Sequence, residues 1–103
     1  MISVSNITVA SDYVASRARK MLCRNVAPFE WKVTPLDGKE HTIKRVRFVK
    51  RARGYTVECE SFYDAVPCEA NSFGNLCAHV WRTVEQLRIN EIRRQRREER
   101  QAA

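Results

Sequence analysis

Cys59, Cys68, Cys77 and His79 follow a Cys-x8-Cys-x8-Cys-x-His pattern. Thiolate sulfur and imidazole nitrogen are the donors that zinc takes at four tetrahedral corners. Four such donors in one short stretch make a metal centre the leading chemistry. All four corners would be protein atoms, leaving no open position to activate water, so one structural Zn2+ is expected rather than a catalytic one. Other chemistries fit less well. Cysteine is often buried as a small apolar side chain, and three of them with a core histidine need no metal. Redox cycling lacks a Cys-x-x-Cys. A Cys/His nucleophile pair lacks a nameable carboxylate or oxyanion loop. The chain is therefore read as a non-enzyme with no small-molecule substrate.

The elements around these residues must bring them to one point. Tyr55, Val57 and Cys59 share one face of a strand. After a turn over Ser61–Asp64, residues 64–68 can return beside it, so that Cys59 and Cys68 oppose each other across a hairpin. Cys77 and His79 fall at the start of a last helix, for which Asn75 is a candidate cap. Inside a regular helix, residues two apart point about 200° apart. Cys77 must then sit in the turn before the helix and His79 in its first turn. Free amides and the positive dipole end would stabilise a thiolate there. Cys77, Val80, Trp81, Val84 and Leu87 form the inner stripe of this helix, extended by Ile89 and Ile92.

Upstream, residues 7–10 are β-prone. Ser11 can cap a helix over residues 11–24, with Asp12 in its first turn and Val14, Ala18, Met21 and Leu22 at helical spacing. Pro28 ends that run, and Cys23 on it reads as a core filler. Asp37-Gly38 marks a turn between β-prone flanks at Glu30–Thr34 and His41–Lys50. Pro35 suggests that the first flank is an edge strand. Val46 and Phe48 alternate with Arg45 and Arg47, giving the second flank one apolar and one cationic face. His41 reads as an exposed strand residue, a reserve ligand only if Cys59 fails. The expected fold class is α+β: an N-terminal helix on an antiparallel sheet of three to four strands, then a zinc-bound hairpin leading into a long C-terminal helix. Residues 1–92 form the single domain, and 93–103 a basic helical or frayed tail.

Residues 54–87 resemble the SWIM zinc finger, whose pattern is Cys-x-Cys, a spacer, then Cys-x-His. The resemblance is carried by the strand Tyr55-Thr56-Val57, by Cys77-Ala78-His79 and by the apolar helix opening Val80-Trp81. The first half differs: Cys68-Glu69-Ala70 has alanine where the second cysteine would fall, so Cys59 supplies that ligand. The resemblance implies a ββα core and binding to DNA or to proteins.

The charge is uneven. The net charge is +7 and the pI about 9.7. Such a balance favours polyanions. Lys44, Arg45, Arg47, Lys50, Arg51 and Arg53 lie on or beside one strand, with Lys39 before them. Arg93, Arg94, Arg96, Arg97 and Arg100 form a second arm that covers several sides of a helix. The zinc segment between is acidic, with Glu58, Glu60, Asp64 and Glu69. These clusters predict largely sequence-independent nucleic-acid binding, DNA rather than RNA, in an accessory or regulatory role. Tyr55, Phe62, Tyr63 and Phe73 are candidate base-stacking residues if exposed; Tyr55 reads rather as core, and Phe62 and Tyr63, in a turn, are the better surface candidates. The rival reading is a protein-interaction adaptor, docking a partner or a second copy through Phe62-Tyr63 or Ile89/Ile92. A basic strand can also be a charge-protected edge, and an Arg/Glu helix a solvated face. No secretory leader or apolar span is read, so a reducing, cytoplasmic location without membrane contact is expected, or the host cytoplasm or nucleus for a viral or mobile-element protein.

Overall fold

A computed structural model describes residues 2–3, 7–36, 42–68 and 76–102. The elements are β1 (Ile2–Ser3), α1 (Asp12–Ala18), β2 (Met21–Ala27), β3 (Glu30–Pro35), β4 (Lys44–Arg51), β5 (Gly54–Ser61) and α2 (Ala78–Ala102). The expected α+β class is what the structure shows. The four longer strands form an antiparallel sheet, and two-residue β1 extends it in the order β1-β5-β4-β3-β2. The Asp37-Gly38 turn, His41 and the Asn75 cap lie outside the described residues.

The first helix is shorter than its spacing predicts. Ser11 caps it, its hydroxyl accepting from the Val14 amide at 3.2 Å. The helix ends at Ala18, and Arg19 occupies the C-cap. Met21 to Ala27 then pair with β3, from Met21 opposite Pro35 to Ala27 opposite Glu30. Met21 and Cys23 suit either period, but here they alternate with exposed Leu22 and Arg24. A ladder with β3 satisfies more backbone groups than one further helical turn would. Cys23 is thus a strand residue. The β-prone run at 7–10 is not a strand either; Ile7 alone is buried there.

β3 is an interior strand, and β2 is the edge. Pro35 is tolerated because it lies past the β3–β4 ladder, which runs from Glu30 to Val33. Pro28 terminates no helix. It opens the β2–β3 turn, and Phe29 follows at φ 63. Glycine or asparagine usually takes that second turn position. Holding an aromatic residue there costs on the order of 1 kcal/mol. At the β4–β5 turn, Gly54 has φ 116, a conformation that suits glycine.

One sheet face packs under α2. Val33, Val46 and Val57 are fully buried there beside Val80 and Thr83. These are small side chains, so the apolar core is thin. The helix stripe ends sooner than its pattern suggests: Val80 and Val84 are buried, Trp81 is half-buried, and Leu87, Ile89 and Ile92 are exposed. From Leu87 to Ala102 every residue is exposed. Residues 89–102 therefore project as a helical arm about 21 Å long at 1.5 Å per residue.

The strand assignment of 21–27 makes a direct prediction. Val46→Ala should cost about 2 kcal/mol in equilibrium denaturation. Leu22→Ala should cost under about 0.5 kcal/mol, because Leu22 is 61 % exposed. Equal losses would contradict the β2 register, since a helical run over 11–24 or a one-residue slip of the strand would be needed to bury Leu22.

Candidate metal centre

The sheet register builds half of the site. Cys59 faces α2, while Glu58 and Glu60 on the same strand face away. After a tight turn the chain returns beside β5. The Ser61 amide donates to the Val66 carbonyl at 2.8 Å, and the Cys68 amide to the Cys59 carbonyl at 2.9 Å. Glu60 and Pro67 form the bridge between these bonds. That pairing sets Cys59 directly against Cys68, as the spacing predicts.

The start of α2 builds the other half. Cys77 immediately precedes the helix, and its sulfur accepts from the Val80 amide at 3.5 Å. It thus takes the N-cap role that serine or aspartate usually fills. His79 is in the first turn, and Thr83 below it donates its hydroxyl to the His79 carbonyl at 3.0 Å. One donor atom from each of Cys59, Cys68, Cys77 and His79 lies within 4.8 Å of the others. Cys59, Cys77 and His79 are buried and Cys68 is half-buried.

The donor set fits a cation. His79 Nδ1 is buried and has no hydrogen-bond partner among the described residues, a costly state unless something else engages the ring. The Cys59 thiol is pushed far up, first by its hydrogen bonds to Cys68 and Cys77 and then by burial. At Cys77, the hydrogen bond from Cys59 pulls downward, but the Cys68 hydrogen bond and burial outweigh it and raise the thiol to about 11. Cys59 and Cys77 thus hold their protons, through the neighbouring thiols and burial. A divalent cation reverses that balance by displacing the protons. Cys23 is not part of this group. It lies on β2 with its sulfur 3.7 Å from the Thr83 hydroxyl, and burial raises its pKa.

The arginines divide differently from the sequence pattern. On the open sheet face, Arg45 meets Glu60 at 3.6 Å, Arg47 meets Glu58 at 2.9 Å, and Arg51 meets Glu58 at 3.8 Å. The predicted cationic face of β4 is therefore matched by carboxylates of β5. Phe62 folds over it, with Lys32 and Arg45 each 4.9 Å from its ring centre. Lys44 is half-buried, while Lys50 and Arg53 are exposed at or beside the β4–β5 turn. On the arm, Arg94 pairs with Glu91 and Glu98. Arg93, Arg96, Arg97 and Arg100 instead share one side of α2, line a shallow groove of about 390 Å³, and make no ion pair among the described residues.

Of the aromatic candidates, Tyr63 is exposed and Phe62 half-buried, while Phe73 lies outside the described residues, as does the acidic Glu69. Tyr55 is more open than a core position, at 37 %, and stacks on Phe29 with ring centres 5.7 Å apart. Phe29 escapes sequence reasoning because nothing in the pair Pro28-Phe29 marks a positive φ.

Compared with family models, with curated proteins and with solved structures, the chain gives no significant match in any of the three.

The cluster predicts about one tightly held divalent ion per chain by elemental analysis after dialysis. Cys59→Ser, Cys68→Ser, Cys77→Ser and His79→Ala should each lower the affinity at least tenfold. Cys23→Ser should retain the full complement. Uptake at neutral pH should release protons in a weakly buffered solution, and affinity should fall as pH is lowered. Ion content unchanged by Cys59→Ser would remove that residue from the site.

Proposed function

We infer that this chain is a zinc-stabilised, non-enzymatic module that binds nucleic acid through the projecting part of α2. The observation that carries the nucleic-acid reading is the unmatched arginine side of the arm. Four guanidinium groups at helical spacing, free of carboxylate partners among the described residues, offer forks for successive backbone phosphates. The strand arginines contribute less, because Glu58 and Glu60 already engage them. The binding is largely indifferent to sequence, since phosphate contacts carry no base information.

Zinc is the ion that three sulfurs and one imidazole favour. With four protein donors the sphere is closed, so its role is to hold structure. It would cross-link β5, the returning segment and α2, where the valine core is thin. The order of hairpin, then Cys77-Ala78-His79, then an apolar helix opening supports a SWIM-like reading in which Cys59 replaces one cysteine of the usual first pair.

A second reading has one specific observation behind it. Leu22, Leu36 and Ile89 are exposed and line a common groove of about 350 Å³ beside the free edge of β2. A protein partner or a second copy of the chain would cover them. Sedimentation mass over a concentration series tests self-association.

The principal test is salt-dependent binding to labelled DNA. Each phosphate contact contributes about 0.9 to the slope of log K against log salt for duplex DNA. Neutralising Arg93, Arg96, Arg97 and Arg100 to Gln should lower that slope by about 3.6 and weaken binding throughout. Arg45→Gln with Arg47→Gln should change it by less than about 1. An unchanged slope in the arm variant, or no binding at low salt, would remove the arm from this role.

A further inference from the structure

A second binding feature lies at the far end of the sheet from the cysteines. α2 runs from the cluster towards that end, because Leu87 reaches a pocket there lined also by Asn25, Phe29, Trp31, Phe48 and Tyr55. The pocket has a volume of about 360 Å³ and walls that are mainly aromatic. Three observations distinguish it from a packing defect. Phe29 is 59 % exposed yet held at φ 63, where glycine would sit without strain. A strained aromatic at an exposed turn tip points to use of its ring. The turn is also braced: the Phe29 carbonyl accepts from the Phe48 amide at 2.9 Å. Finally, the Asn25 Nδ2 donates to the Ala27 and Glu30 carbonyls at 3.1 and 3.0 Å. Both bonds use Nδ2, so Oδ1 is left as an acceptor with no partner among the described residues.

The charge nearby selects the occupant. Lys50 pairs with Tyr55 across the β4–β5 ladder and shares its face. Arg53 is exposed in the adjoining turn. Beyond Leu87, the same helix carries the unmatched Arg93, Arg96, Arg97 and Arg100. An apolar aromatic slot amid cations suits a flat ring attached to a negatively charged chain. We propose that the Phe29–Tyr55 pocket takes an unpaired base of single-stranded nucleic acid, stacked against the two rings, with Asn25 Oδ1 accepting from a base N–H. Aromatic rings hold any base by its face, and the cations track the flanking phosphates. This proposal rests on the nucleic-acid reading of the arm and adds to it a preference for exposed bases over duplex.

The test compares three labelled strands of equal length by fluorescence anisotropy at one salt concentration: a mixed-sequence single strand, the same strand with abasic sites throughout, and the duplex. The abasic strand keeps the phosphates and removes the rings. The wild-type chain should bind the mixed single strand at least fivefold more tightly than the abasic one. Phe29→Gly and Tyr55→Ala should each erase that difference while leaving affinity for the abasic strand unchanged. Phe29→Gly should also keep or raise the thermal midpoint, since it relieves the positive φ, so a loss of discrimination cannot be ascribed to unfolding. Equal wild-type affinity for mixed and abasic strands overturns the pocket and leaves the arm standing. No binding to any strand overturns both. Discrimination that survives Phe29→Gly overturns the pocket, as does Phe29-dependent binding of a tryptophan-bearing acidic peptide in place of the strands.

Discussion

The convergence of Cys59, Cys68, Cys77 and His79 is the constraint on which the rest of the molecule depends. It joins three segments that are distant in the chain or weakly paired: β5, a return segment held by two backbone bonds, and the first turn of α2. Burial alone holds that junction poorly, since the fully buried side chains near α2 are valines and a threonine. Without a cation, the junction gathers two thiols, Cys59 and Cys77, whose ionisation is disfavoured, and an imidazole nitrogen lacking a partner among the described residues. With one, each of those groups gains a bond. Zinc binding to small domains contributes on the order of 10 kcal/mol, comparable to the whole stability of an ordinary domain.

The same junction also sets where the charge goes. It places the first turn of α2 at the cysteine end, and the helix then crosses the sheet and leaves it near Leu87. Beyond that point α2 becomes an arm in which Glu91 and Glu98 gather about Arg94 and four other arginines share one side. The sheet treats its arginines differently. Cross-strand partners on β5 engage Arg45, Arg47 and Arg51, an arrangement that protects an open face and aligns two strands. The two arginine clusters look alike in composition and differ in availability.

Much of the fold and the convergence of the four candidate metal donors was legible in the sequence, and the failures have physical causes. The Cys-x8-Cys spacing and the Cys-x-His step read correctly because each depends on local geometry, one on a hairpin and one on a helix start. The alternation of β4 read correctly for the same reason. Residues 21–24 misread because Met21 and Cys23 fit both a helical and a strand period, and only the non-local ladder with β3 decides between them. The pairing of Arg47 with Glu58 had a usable signal: a turn closing at Arg51 and Gly54 places those residues opposite each other. Pro35 misled because its tolerance depends on where β4 begins. Phe29 carried no signal, since its backbone angle is imposed by the hairpin around it.

The most direct test that an ion clamps this junction is X-ray absorption at the zinc edge on the purified, folded full chain. Three sulfur scatterers at about 2.3 Å and one nitrogen at about 2.0 Å are expected, with no oxygen in the shell. A folded sample that carries no metal, or a shell containing water oxygen with fewer sulfurs, would contradict the clamp.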